Sequence, residues 1–226
     1  MPQVEITDLV KTYTVGETEI TAVDRASLKI EKGEFLSVIG HSGSGKTTLI
    51  SIIGGVIRPT SGKVLFNGTD IYSLDSDGLS GYRCSNVGFM FQFASLLPIL
   101  SARENLLLPV VFHSGAGAPA ANDAKAVELL RRVGLGDKID AYPSQLSGGQ
   151  QRRVAIARAF MNDPEIILAD EPTGDLDEET EADMMDFFRT MNAEKDITFI
   201  MVTHNTELAR KAKRQLKMSV GTLREL

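Results

Sequence analysis

Gly40-His-Ser-Gly-Ser-Gly-Lys-Thr47 constrains this chain more than any other stretch. It follows a compact apolar run, Phe35 to Ile39, and precedes Leu49, Ile50, Ile52 and Ile53, whose spacing is helical. Strand, loop and helix in that order is the setting that the pattern GxxxxGKT requires. Glycines at Gly40, Gly43 and Gly45 let backbone N–H groups close around phosphate oxygens, and the helix N-terminus adds positive potential. Lys46 is placed to reach the β and γ phosphates, and the Thr47 hydroxyl can ligate Mg2+. His41, Ser42, Ser44 and Thr48 complete the cradle. A glycine-rich turn with a surface lysine is the competing reading, and the flanking strand and helix argue against it.

A magnesium nucleotide needs a second protein carboxylate. Ile166-Ile167-Leu168-Ala169-Asp170 is an apolar strand ending in one, and Glu171 lies just beyond it, where a carboxylate could orient or deprotonate an attacking water. A polar strand exit would explain an Asp-Glu pair taken alone, but not one accompanied by a phosphate loop. Leu146-Ser147-Gly148-Gly149-Gln150 adds a capping box, Ser147 with Gln150, and two glycines that leave the N-terminal amides of the next helix bare. That is a second phosphate-binding surface. One nucleotide cannot easily be cradled by both within one subunit, so the economical arrangement is a dimer in which each such helix closes over its partner's nucleotide.

Composition narrows the class. The 226 residues are 42% hydrophobic and 24% charged, as in an average globular protein. The longest apolar candidate, Leu106 to Phe112, is interrupted by Pro109 and falls far short of the roughly 20 residues of a membrane span. Met1 to Asp8 has no apolar signal core, and the single cysteine, Cys84, fits a reducing compartment. A net charge of −6 disfavours a general nucleic-acid binder. Arg210, Lys211, Lys213, Arg214 and Lys217 form a local exception, read as a solvated helix face or as a contact for anionic lipid headgroups.

Along the chain, Val4 to Leu9 and Ile20 to Ile30 alternate as antiparallel strands around a turn at Gly16. Pro59 and Gly62 are expected to end the first helix, and Asn67-Gly68 to turn a hairpin. Ser101 to Glu104 is a capping box, Ala124 to Val133 is helical, and His113 to Asn122 between them reads as a mobile loop. A helix from Gln150 to about Asn162, a strand from Ile166, a helix from Glu178 to Met191, a strand Ile197 to Val202 and a last helix then alternate as in a parallel sheet. Met184, Phe187, Phe188 and Met191 share one helix face and suit a core.

With these strings in place the sequence resembles the ATP-binding cassette ATPases, the nucleotide-binding subunits of ABC transporters, over nearly the whole chain. Six motifs stand in the family's order. They are the Gly40–Thr47 loop, Gln92 in Phe89-Met-Phe-Gln92, the LSGGQ signature, Asp170 with Glu171, the D-loop Thr173-Gly-Asp-Leu-Asp177, and His204 in Val202-Thr-His204. The resemblance implies an α/β P-loop NTPase fold as one domain over residues 1–226. Its core, residues 1–91 and 151–226, has a mixed, largely parallel sheet and an N-terminal antiparallel β subdomain, and residues 92–150 form an inserted α-helical signature subdomain. It implies ATP and Mg2+ as ligands, Tyr13 stacked on adenine, Gln92 near Mg2+ and the attacking water, and His204 at the γ-phosphate. The implied partners are a second copy around two ATP and a transmembrane permease, which places the chain on the cytoplasmic face of the inner membrane.

Gly88-Phe-Met-Phe-Gln92-Phe, Leu97-Pro98, Glu104-Asn105 and Ala169-Asp-Glu-Pro-Thr-Gly are similar to the subfamily of lipoprotein release, macrolide export and the cell-division permease-like complex. Asn205 after the histidine, Asp175 in the D-loop and the segment Lys217 to Leu226 depart from the family pattern. A soluble cassette ATPase of DNA repair, chromosome organisation or translation is the rival, and force transmission to a periplasmic partner a variant of the first. The 54 residues from Gln92 to Leu146 are too few for a chromosome-organising coiled coil, and a GTPase would need an NKxD that is absent.

Overall fold

The computed structural model describes residues 1–112, 119–174 and 176–226. Strands β1 (Val4–Val15) and β2 (Thr18–Ile30) pair antiparallel around the expected turn, where Gly16 takes φ 63°. After β3 (Phe35–Ile39) and α1 (Lys46–Ile53), β4 (Ser61–Phe66) and β5 (Thr69–Asp70) complete a four-stranded sheet ordered β2-β1-β4-β5. Asn67 and Gly68 between the last two have φ of 48° and 82°, the double positive φ that the expected tight turn demands.

The second sheet is ordered β10-β9-β3-β8-β7-β6 and is built from β3, β6 (Val87–Met90), β7 (Ile166–Asp170), β8 (Thr198–Thr203), β9 (Arg214–Ser219) and β10 (Thr222–Glu225). All its pairings are parallel except β10 on β9. The period of two divides its central strands between two cores. Ile167, Ala169, Phe199 and Met201 face one, and Ile166, Leu168, Ile200 and Val202 face the other. Burial on both faces is why these strands read as unbroken apolar runs.

One core contains α1 and the antiparallel sheet. The other gathers α3 (Ala102–Val111), α4 (Pro119–Arg132), α5 (Gly148–Arg158) and α6 (Glu178–Lys195). Met184, Phe187, Phe188 and Met191 are all buried there, as their spacing predicts, and the Phe188 ring lies 5.7 Å from that of Phe199. Each such side chain contributes about 1.5–3 kcal/mol through burial. Ser101 with Glu104 and Ser147 with Gln150 close both expected capping boxes. Residue 150, the expected edge of the helical part, falls inside α5.

Several expectations are corrected. The first helix stops at Ile53, ahead of Pro59, because Gly54 and Gly55 follow it and Gly55 takes φ 68°. Residues 119–122 of the expected mobile loop form the first turn of α4, with Pro119 at its start, where its missing N–H costs nothing. Residues 113–118 and Asp175 lie outside the described residues. Helix α5 ends at Arg158, four residues before Asn162. The last helix is the single turn α7 (Thr206–Ala209), so the basic cluster is not a helix face. Arg214 and Lys217 lie on β9, and Arg214 is engaged by Glu34 and Glu225. Lys217 to Leu226, which departs from the family pattern, nevertheless pairs as the closing hairpin. Helix α2 (Ser76–Asn86) and β6 were not foreseen. Only Leu79 and Tyr82 of α2 are buried, too few to print a period on the sequence.

Candidate nucleotide site

The carboxyl ends of β3, β7 and β8 open into a cleft of about 550 Å3 lined by Ala22, residues 41–48, Gln92, Asp170, Glu171 and His204. Parallel strands place ligand sites at this edge of a sheet. The loop from β3 to α1 is held close to its surroundings. Gly45 caps α1 with φ 105°, and a Cβ there would collide with the Ala22 carbonyl oxygen. The closing hairpin supports the same loop, since the Gly221 N–H donates to the Ser44 carbonyl at 3.1 Å. Gly40 lies beneath the cleft and does not line it.

The Lys46 ammonium donates to the carbonyls of Gly40 at 2.7 Å and His41 at 3.0 Å. Burial lowers its pKa, while the carboxylates of Glu171 and Asp170 oppose that shift. Burial raises the pKa of Asp170, partly offset by a hydrogen bond from the Thr47 side chain. The Ser44 hydroxyl is buried without a protein partner at the floor of the same loop. An orphaned donor, an ammonium and glycine-permitted backbone fit a polyanion. The Thr47 hydroxyl, Asp170 carboxylate and Gln92 amide supply the hard oxygen donors that Mg2+ prefers.

Glu171 has φ 45°, and its side chain is bound from β8 and the residue after it. The Thr203 hydroxyl donates to one carboxylate oxygen at 2.8 Å, and the His204 N–H donates to the other at 2.7 Å. His204 Nδ1 also lies 2.7 Å from that second oxygen. A carboxylate only accepts, so Nδ1 carries the proton in this contact. Asn205, the residue unlike the family pattern, accepts from the N–H groups of Glu207 and Leu208 and so caps α7.

The structure therefore brings together His41 to Thr48, Gln92, Asp170, Glu171 and His204. Ser147, Gly148, Gly149 and Gln150 do not line the cleft of their own chain, and neither does Tyr13. Tyr13 is half-buried on β1 with the Lys11 ammonium 5.0 Å from its ring centre. Sequence reasoning missed Ala22, which nothing local distinguishes, and Arg152, which the sequence does not set apart from Arg153. Arg152 is 3% exposed and donates to main-chain carbonyls beside Gln92 and Glu171.

A glycine loop on a parallel-sheet edge, with a lysine inside it and carboxylates on the neighbouring strand end, defines the phosphate-loop nucleotide-binding class. Within that class the chain belongs to the ABC transporter family, whose profile matches residues 23–174. The macrolide export ATP-binding/permease protein MacB of Syntrophobacter fumaroxidans is 43% identical over 223 residues, 99% of this chain and 31% of that protein. The chain thus spans about a third of the length of such relatives. The lipoprotein-releasing system ATP-binding protein LolD of Syntrophus aciditrophicus is also 43% identical, over 97% of this chain and 98% of its own. Among solved structures, the dimeric post-hydrolysis state of the ATP-binding cassette MJ0796 bound to ADP and Pi superposes with a TM-score of 0.93 at 40% identity, covering 99% of this chain and 98% of that one.

Proposed function

We propose that this chain binds and hydrolyses ATP with Mg2+ as the motor part of an ABC transporter of the export or lipoprotein-release type. The observation that carries the reading is the single cleft that joins the Gly40–Thr47 loop to Asp170, Glu171, Gln92 and His204. The loop amides and Lys46 bind the β and γ phosphates, and Thr47, Asp170 and Gln92 hold Mg2+, which neutralises phosphate charge. Glu171 and Gln92 orient a water. Attack by its oxygen forms the new P–O bond as the bond from γ-phosphorus to the β-bridging oxygen breaks, giving ADP and inorganic phosphate. Glu171 accepts the water's proton, and His204, donating from Nδ1, keeps the carboxylate aimed. Tyr13 carries the adenine beyond the cleft along the β1–β2 ribbon. The test is release of inorganic phosphate from Mg-ATP by the purified chain. Failure of the wild type to release it under saturating Mg-ATP overturns the reading.

The motor acts on a membrane permease. No described helix is long and apolar enough to cross a membrane. MacB, whose name joins ATP binding to a permease, is matched over only 31% of its length. Phe89, Phe91, Leu108, Pro109 and Phe112 wall an apolar groove of about 400 Å3, with Arg83 and Arg158 in its lining. Phe91 is 43% and Phe112 77% exposed. Such patches mark interaction sites. A short helix of the permease occupies this groove, next to Gln92 in the chain, and the chain thereby sits on the cytoplasmic face of the membrane. Phe112→Glu is expected to leave phosphate release within about twofold of wild type. It is also expected to abolish co-purification with the permease. Normal co-purification would place the docking surface elsewhere, for example at the exposed turn of Leu97 and Ile99.

A further inference from the structure

Among the described residues, Arg152 is the buried charge that the reading above does not use. It lies one turn into α5, the helix that begins at Gly148 behind the Ser147 cap. Its guanidinium reaches two chain segments that leave neighbouring parallel strands. After β6 it donates to the carbonyls of Phe91, at 2.6 Å, and Gln92. At the end of β7 it donates to the carbonyl of Asp170, at 3.4 Å, and just beyond it to those of Glu171 and of Pro172, the last at 2.8 Å. Phe91, Gln92, Glu171 and Pro172 lie beyond the strand ends, so no sheet ladder replaces the guanidinium at their carbonyls, although the Glu171 carbonyl also accepts from the Gly174 N–H at 3.3 Å. Farther along the same helix Arg158 donates to Ala94 and Ser95 at 3.0 Å each, which fastens the next residues of the first segment.

We infer that Arg152 is a positioning residue that ties the signature helix to the backbones of Gln92 and Glu171, so that a shift of α5 moves both groups toward or away from the reacting water. The inference rests on the hydrolytic reading given above. Its physical basis is geometric. A planar guanidinium offers five N–H donors in a fixed fork and can hold two diverging loops at once, which a single ammonium cannot. Glu171 also sits at φ 45°, a conformation that a non-glycine residue holds only when its surroundings impose it. Arg152 acts on its carbonyl, while the Val202 carbonyl accepts its N–H at 3.0 Å.

Arg152→Gln is expected to lower the turnover number roughly tenfold to a hundredfold, because small misplacement of aligned groups is costly in rate. ATP affinity should stay within about threefold, since Lys46 and the phosphate-loop residues make none of these bonds. Arg152→Lys, which keeps charge and stem, should fall between. A readout that does not involve hydrolysis is hydrogen exchange of the Glu171 and Gly174 amides, expected to quicken roughly tenfold in Arg152→Gln while β7 and β8 stay protected. Turnover within twofold of wild type, or unchanged exchange at both amides, would overturn the inference. So would parallel losses of turnover, ATP affinity and melting temperature, which signal a damaged fold. If Arg152→Gln does not fold, the same limits are read on Arg152→Lys. An inactive wild type would overturn the hydrolytic reading, and the exchange data would still decide the role of Arg152.

Discussion

Glu171→Gln is expected to bind ATP as tightly as wild type and to lose steady hydrolysis by about a hundredfold or more, the usual cost of removing a positioned base. The substitution removes the carboxylate proposed to accept the water's proton and keeps the shape. Thr203 and the His204 N–H can still donate to the amide oxygen, and the backbone at φ 45° is undisturbed. Lys46→Ala should behave differently. It deletes the ammonium held inside the loop, to which the proposed function assigns the β and γ phosphates, so ATP affinity and turnover are expected to fall together. Phosphate release and equilibrium binding of ATP, measured on both variants, separate the two roles. Full activity in Glu171→Gln would remove Glu171 from the chemistry.

In the hydrolysis-deficient Glu171→Gln protein, saturating ATP is expected to convert monomer into dimer, seen by light scattering as a doubling of mass. The argument is the separation of the two phosphate-binding surfaces. Gly148 and Gly149 present bare helix amides, yet they do not line the cleft of their own chain. A nucleotide shared between two copies brings each signature helix to the partner's phosphates, and a ligand that binds only the dimer drives its assembly by mass action. Ser147→Arg should block the shift by placing bulk at that contact. Losing the Ser147 cap costs about 1 kcal/mol, too little to unfold a domain with two buried cores, so far-UV dichroism should be unchanged. Dimer formation by Ser147→Arg at normal ATP concentration would put the interface elsewhere.

Local chemistry made much of this protein legible without coordinates. The Gly40–Thr47 loop is contiguous in the chain, with Gly45 capping the helix that Lys46 and Thr47 open. Capping boxes at Ser101 and Ser147 span four residues each, and strands buried on both faces print continuous apolar runs. These features depend on neighbours in the chain, so the order of residues is enough to determine them. The same holds for the Asn67-Gly68 turn and the Met184 to Met191 stripe.

What only the tertiary structure decided involves residues far apart in the chain or signals too weak to rise above their surroundings. Helix α2 has two buried residues and two glycines, and packing rather than periodicity makes it a helix. The basic run from Arg210 looked helical by crowding, but β3 offers an open parallel edge, and pairing with it turns Arg214 to Ser219 into a strand. Arg152 and Arg153 are indistinguishable as letters. Only the convergence of the chain leaving β6 and β7 places main-chain carbonyls around the first of them, and a buried guanidinium is stable there because those carbonyls replace the water it loses.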